Sequence, residues 1–112
     1  MLLFFQKAVP ATQADVLLSV AGYTAETAEQ ADRPVSYTRL EVLFTDPITA
    51  GDLLVKAYLN GAARGSGVTL NATKTRGSEC LSLPTDEGDR IEVKATSTGL
   101  APTTGDLLAL IE

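Results

Sequence analysis

The sequence is divided into short apolar runs by turn-forming residues, and this spacing is what most restricts the fold. About eight runs, bounded by Gly, Pro, Asp, Asn or Ser, occupy residues 2–5, 15–21, 35–45, 52–59, 67–72, 79–83, 90–96 and 106–111. Runs this short, separated by turn signals at regular spacing, are typical of β-strands rather than helices. The chain is therefore predicted to be all-β.

Alternation within the runs indicates strands with one buried and one solvated face. In "RIEVKAT" the apolar residues Ile91, Val93 and Ala95 alternate with charged and hydroxyl side chains. In "VSYTRLEVLFT" the same period of two places Arg39 and Glu41 on the outer side of the strand. Such patterns are those of antiparallel sheets covered on one side.

The loops are consistent with a single compact β domain spanning residues 1–112. "Asn60-Gly61" is the strongest short hairpin signal. The prolines are expected between strands, where no ladder hydrogen bond is lost: Pro10, Pro34, Pro47, Pro84 and Pro102. The Ala- and Glu-rich stretch "YTAETAEQADRP" could form one short helix or a polar loop. We therefore expect an antiparallel β-sandwich or jelly roll of about eight strands with at most one short helix.

Charge and composition argue against several partners. The net charge is −5 and the pI near 4.6, so binding to a phosphate backbone is not expected, and Arg64, Lys74 and Arg76 form only an interrupted basic cluster. No apolar run approaches the roughly 20 residues that a membrane helix needs. Cys80 is the only cysteine, which fits folding in a reducing cytoplasm, and its apolar run predicts a small core residue rather than a nucleophile.

The absence of histidine removes the usual triads and the histidine-based metal sites. We expect no catalytic residues, no cofactor and no metal, although a small hydrolase built on carboxylates stays open as an alternative. Three Gly-Asp pairs, each followed by an apolar run, are the main acidic candidates: Gly51-Asp52, Gly88-Asp89 and Gly105-Asp106.

The Gly-Asp pairs have two interpretations. Asp86, Glu87 and Asp89 crowd one turn, as in a calcium loop, but the EF-hand spacing is absent. The structural interpretation is that glycine supplies a positive φ while aspartate accepts backbone N–H bonds as the next strand begins. We expect the structural role, and the sequence leaves calcium binding by the acidic turn open.

The second half of the chain carries a recognisable order of turns. "TAGDLLVKAYLNGAARGSGVTLNATKT" and then "DEGDRIEVKATSTGLAPTTGDLLALIE" resemble small β-sandwich domains of tailed-bacteriophage structural proteins, over roughly residues 38–112. Such domains form head-decoration or spike proteins and the tips of tail fibres. The chain departs from the pattern at "LSLPTDEGDR", where a bulkier aromatic turn is expected, and at the charged stretch 26–33.

The resemblance implies a non-enzymatic virion protein, assembled in the host cytoplasm as a homotrimer and bound to the major capsid protein or another virion protein. Because Met1 leads straight into a strand with no fibrous shaft ahead of it, a capsid-decorating or spike protein is favoured over a tail-fibre tip. The expected interface is an apolar sheet face, either the one with Leu53, Val55, Ala57 and Leu59 or the Leu108 and Leu110 side of the last strand.

The alternative is a receptor- or carbohydrate-binding tip domain of a tail fibre that contacts a host-surface glycan. Sugar sites usually stack pyranose rings on exposed aromatic side chains, but aromatics are 5% of this chain and Trp is absent. The polar aromatics are Tyr23, Tyr37 and Tyr58.

Overall fold

A computed structural model describes residues 2–20, 29–30 and 35–112 of the chain. The described residues form ten strands: β1 (Leu2–Gln6), β2 (Gln13–Leu17), β3 (Ser19–Val20), β4 (Glu29–Gln30), β5 (Val35–Phe44), β6 (Ala50–Leu59), β7 (Ala62–Leu70), β8 (Arg76–Thr85), β9 (Arg90–Ala101) and β10 (Leu107–Ile111). All pairings between them are antiparallel. The described part of the chain contains no helix that could span a membrane.

The strands build two sheets that face each other. Sheet I has the order β3-β1-β10-β5-β8, and sheet II has the order β2-β9-β6-β7 with β4 also paired to β9. The chain crosses between sheets from β5 to β6, from β7 to β8, from β8 to β9 and from β9 to β10. This interleaved order is that of a jelly-roll β-sandwich, which confirms the predicted fold class.

The core lies between the sheets and follows the period of two. On β5 the residues Leu40, Val42 and Phe44 are buried, and on β10 the pattern alternates between buried and half-buried along the whole strand. From sheet II the predicted inward residues Ile91, Val93 and Ala95 are all fully buried. The alternation in the sequence therefore identified the buried faces of these strands correctly.

The strands of the structure are longer or more divided than the apolar runs. The run at 15–21 splits at the buried Leu18, so that β2 joins sheet II and β3 joins sheet I. Within the stretch expected to be a short helix or a loop, Glu29–Gln30 pairs with β9 as a strand, and residues 23–28 and 31–34 lie outside the described residues. The hairpin predicted at Asn60-Gly61 is confirmed, because both residues have positive φ between β6 and β7, as a type I′ turn requires.

Two expectations about β8 are wrong. Cys80 is exposed rather than in the core, because Leu81 and Leu83 take the inward positions of this strand and Cys80 is out of phase with them. Pro84 lies inside β8 rather than between strands. Its missing N–H is tolerated because β8 is the edge of sheet I. Pro10, Pro47 and Pro102 do lie between strands, and Pro34 is outside the described residues.

The edge strand β8 of sheet I approaches the edge strand β7 of sheet II, and a carboxylate joins them. The backbone N–H of Gly67 donates to both oxygens of Glu79, at 3.2 and 3.1 Å. Exposed strand edges invite pairing with other chains. The Glu79 contact therefore closes this side of the sandwich with a charge-assisted hydrogen bond.

Candidate functional site

Asp89 is held by the neighbouring hairpin turn. Its carboxylate accepts the backbone N–H of Asp86 at 2.8 Å and the side-chain amide N–H of Asn60 at 3.0 Å. Asn60 in turn accepts the backbone N–H of Arg90 at 2.8 Å and donates its own N–H to the Arg90 carbonyl at 2.8 Å. These bonds connect the β6–β7 and β8–β9 turns, so Asp89 of the acidic turn has a structural role.

Asp106 also links separate connections of the fold, at the other end of the sandwich. It accepts the backbone N–H of Ala8 at 3.0 Å and donates its own N–H to the Thr45 hydroxyl at 2.8 Å. The three connections β1–β2, β5–β6 and β9–β10 therefore meet at this residue. The expected role of backbone capping is confirmed for Asp89 and Asp106, whereas Asp52 is an exposed residue of β6.

Glycine is not required for the same physical reason in all three Gly-Asp pairs. Gly51 and Gly88 have positive φ, as expected. Gly51 lies within β6 at a β-bulge rather than in a turn, since the register with β9 shifts between Ala50 and Asp52. Gly105 is buried and lacks the predicted positive φ; a Cβ there would come within 2.2 Å of the Phe44 ring. Close packing, and not turn geometry, requires glycine at this position.

The acidic side chains of the described residues do not converge on a cation site. No group of three or more Asp, Glu, Cys or His side chains among residues 2–20, 29–30 and 35–112 has the geometry to hold a metal ion. In the turn considered for calcium, one carboxylate is already committed to backbone and amide donors.

The hydrogen bonds to Asp89 predict a pH dependence of stability. The backbone N–H of Asp86, and then Asn60, lower the pKa of Asp89 below its ordinary 3.8. A carboxyl whose folded pKa is lowered contributes stability that is complete above its unfolded pKa and is lost as the pH falls through the folded pKa. We expect the melting temperature of wild type to exceed that of Asp89→Asn above pH 3.8, with the difference vanishing in stronger acid.

Melting curves from pH 7 to 2 measure this difference. Glu87→Gln is the matched control, because Glu87 is exposed in the same turn and makes no hydrogen bond or ion pair among the described residues. A gap between wild type and Asp89→Asn that is the same at every pH would contradict the assignment.

The outer face of sheet I carries a continuous apolar surface. The register places Leu3 beside Leu110, and Phe5 beside Leu108, which is itself beside Leu43. Leu3 is 37% exposed and the other four are half-buried. We call these five residues the apolar face. Of the two predicted interface surfaces, only the Leu108 and Leu110 side is available. The other is wrong, because Leu53, Val55, Ala57 and Leu59 are buried in the core.

Charged side chains border the apolar face on β5 and β8. Glu41 lies between two arginines, with its carboxylate oxygens 3.6 Å from Arg39 Nη2 and 3.8 Å from Arg76 Nε. Arg76 is thus engaged in an ion network and not in a basic patch with Arg64 and Lys74. The sequence missed Leu3, Phe5 and Leu43, although the period of two in β1 and β5 would have placed them on this side.

The outer face of sheet II carries a polar cluster centred on Tyr58. The Lys94 ammonium lies 4.6 Å from the centroid of the Tyr58 ring. Burial, followed by the charge of Asp15 and a hydrogen bond to it, raises the pKa of Tyr58 above its ordinary value. Asp15 also accepts the Thr96 hydroxyl at 3.2 Å.

The bulge in β2 explains how Asp15 reaches this cluster. Asp15 has φ 46°, and the register between β2 and β9 shifts between Gln13 and Val16. Bulges redirect side chains in this way. Sequence reasoning missed the cluster because its members come from three strands, and nothing in the sequence marks Asp15 as a bulge residue.

The tyrosines considered for sugar stacking are not equally available. Tyr37 packs against the core, and one face of the Tyr58 ring is covered by Lys94. Tyr23 lies outside the described residues.

Topology and core define this chain as a jelly-roll β-sandwich, and it is similar to solved structures of low sequence identity. The globular domain of zebrafish complement 1qA protein superimposes with a TM-score of 0.51 at 15% identity, covering 96% of this chain and 91% of that one. Rabbit GITRL gives 0.48 at 11% identity, covering 100% and 94%. A family 35 carbohydrate-binding module from Clostridium thermocellum gives 0.45 at 16% identity, covering 96% and 91%.

The likeness to the zebrafish domain shows a shared fold and does not extend to function. No family model matches the chain, and no curated protein sequence matches it.

Proposed function

We propose that this chain is a non-enzymatic structural protein of the virion surface, a homotrimer that decorates the capsid of a phage-like particle. The observation that carries the proposal is the apolar face on sheet I, which is suited to contact with further copies of the same chain. The order of turns over residues 38–112 supplies the phage context and the expectation of three copies.

The broad side of the sandwich that carries the apolar face is large enough for a stable contact. The Cα atoms span 41 × 28 × 20 Å, so this whole side, 41 Å by 28 Å, offers roughly 1,100 Å², of which the five residues of the apolar face cover a part. A standard interface buries about 800 Å² from each partner. Apolar side chains in the centre and charged ones at the border are also the usual arrangement of such interfaces.

The charged border favours a second copy as the occupant. Arg39, Glu41 and Arg76 place both signs of charge beside the apolar face. A copy of the same surface can therefore offer a carboxylate to an arginine and an arginine to a carboxylate. Arg39 and Arg76 share the single Glu41 carboxylate, so an unrelated apolar surface that excluded water would leave one positive charge without a full counter-charge.

A structural rather than catalytic role is supported by the use of the acidic turns. Asp89 and Asp106 accept backbone N–H groups and join separate connections of the fold. Carboxylates committed in this way are not free to act as a general acid or base, which makes a carboxylate hydrolase the weaker proposal.

Assembly with a capsid tests the proposal. The chain is co-expressed with the major capsid protein of a phage from the same host, and purified particles are imaged by cryo-electron microscopy. We expect threefold density of this protein at regular positions on the outer surface. Particles that carry none of the protein at saturating expression, while a tail protein of the same phage retains it, would favour the tail-fibre tip instead.

The receptor- or carbohydrate-binding tip is the alternative function. Recognition of a neutral sugar by stacking is disfavoured, because Lys94 covers one face of Tyr58 and Tyr37 packs against the core. A negatively charged ligand would contact the Lys94 ammonium itself and would not need the covered face of the Tyr58 ring.

A further inference from the structure

Two lysines lie directly opposite each other on the outer face of sheet II. Lys56 of β6 and Lys94 of β9 are register partners, and both side chains are half-buried. Cβ atoms of such partners are about 4.5–5.5 Å apart, and like charges in this position are destabilising. The arrangement therefore costs stability unless an anion lies between or above the two ammonium groups.

No carboxylate of the described residues forms an ion pair with either lysine. The three ion pairs among the described residues all use arginine, and neither lysine belongs to one. Lys94 instead rests over the Tyr58 ring, a cation–π contact that holds its ammonium near the surface of the sheet. Lys56 passes over Gly67, where a Cβ would come within 2.7 Å of the Lys56 Cγ atom.

Hydrogen-bonding groups of a different kind surround the lysine pair. Asp15 lies next to Tyr58 and accepts the Thr96 hydroxyl, and the backbone N–H of Asp15 donates to Thr96 Oγ1 at 3.0 Å. An ionised carboxylate is an acceptor with about four lone-pair sites, so Asp15 can accept further donors. Leu17, the register partner of Lys94 on the side away from Lys56, adds an apolar border.

We propose that the lysine pair Lys56 and Lys94, with Asp15 and Thr96 beside it, is a binding site for a carboxylate-bearing sugar. The two ammonium groups bind the sugar carboxylate, and Asp15 accepts its hydroxyl groups. The Thr96 hydroxyl and the border residue Leu17 contact the remainder of the ring.

The mixed charge of the site separates a sugar from an acidic peptide. Asp15 lies close enough to Tyr58 to influence its ionisation, and Glu92 is the register partner of Tyr58 on the same face. Glu92 is buried and paired with Arg90 at 3.3 Å, so the exposed Asp15 is the carboxylate that repels a densely anionic peptide and accepts hydrogen bonds from neutral hydroxyls. A ligand with one negative charge and several hydroxyl groups can bind the lysine pair through its charge and Asp15 through its hydroxyls.

The site lies on sheet II and the proposed oligomer contact on sheet I, so the two are independent. A decorating trimer would present this surface away from its own interface. Loss of sugar binding and loss of assembly can therefore be separated by experiment.

Isothermal titration of the full chain tests the site. The probes are oligosaccharides of glucuronate, galacturonate and mannuronate together with sialyllactose, each compared with its neutral counterpart, and hexaglutamate as the peptide probe. We expect at least one acidic sugar to bind, its neutral counterpart to bind at least tenfold more weakly, and hexaglutamate not to bind.

Variants identify the residues. Lys56→Gln with Lys94→Gln should weaken sugar binding at least tenfold. The matched control Lys7→Gln with Lys74→Gln removes the same charge from exposed loop positions and should change it less than twofold. Asp15→Asn should weaken the binding of the acidic sugar. No binding by any acidic sugar, equal loss in the control, or hexaglutamate binding that Asp15→Asn strengthens would each overturn the proposal.

Discussion

Replacing Gly51 by alanine is expected to lower the free energy of unfolding by about 3 kcal/mol, a large part of the stability of a domain this size. Two effects add at this position. Gly51 has φ 73°, and a non-glycine residue in the left-handed region costs roughly 1–2 kcal/mol. A Cβ would also meet the carbonyl oxygens of Thr98 and Gly99 at 2.3 Å, and these backbone atoms belong to β9 and cannot move aside freely.

Gly99→Ala is the matched control. Gly99 also has positive φ, at 57°, but a Cβ there meets nothing within 4 Å. Its replacement should lower the free energy of unfolding only by the cost of the left-handed backbone conformation, roughly 1–2 kcal/mol. Urea unfolding measures both. Equal losses for the two variants would mean that the close approach of β6 and β9 at the bulge does not hold.

A carboxylate placed in the middle of the apolar face should dissociate the proposed homotrimer. In Leu108→Glu the new charge lies between Phe5 and Leu43 on the outer side of sheet I. Burying an unpaired charge in an interface costs about 3–5 kcal/mol. The association constant should therefore fall at least about 100-fold, since each 1.4 kcal/mol is a factor of ten.

The fold of the Leu108→Glu monomer should be retained because the side chain points away from the core. Leu54→Glu is the control, since Leu54 is half-buried on the outer face of sheet II, opposite Thr69 and Thr96. It introduces the same charge and should leave association unchanged. Sedimentation velocity measures both variants. Dissociation by Leu54→Glu, with Leu108→Glu remaining assembled, would place the interface on sheet II.

The sequence predicted those parts of the fold that depend on local pattern. Alternation in "RIEVKAT" and "VSYTRLEVLFT" placed the buried side chains, and Asn60-Gly61 marked the hairpin. Both signals are local because side-chain direction repeats every two residues and a type I′ turn needs two residues of positive φ.

Features that depend on pairing between distant strands could not be predicted. The apolar run around Cys80 predicts a core position, yet the phase of β8 turns its side chain outward. Gly105 was assigned to a turn, although the reason for glycine is the Phe44 ring, about 60 residues earlier in the chain.

The same distinction between local pattern and pairing of distant strands applies to the candidate site. The side chains Leu108 and Leu110 were identified from one strand, but the apolar face exists only because β1, β10 and β5 are neighbours. The cluster around Tyr58 needs β2, β6 and β9 together with the bulge that redirects Asp15. Interfaces and binding sites built across strands are properties of the topology, which a single run of residues does not contain.

Sedimentation equilibrium of the wild-type chain tests the central claim most directly. The apolar face predicts a reversible assembly at micromolar concentration, and the phage resemblance predicts three copies of the 11.7 kDa chain, about 35 kDa. A single species of 11.7 kDa at every concentration up to several hundred micromolar would contradict the account.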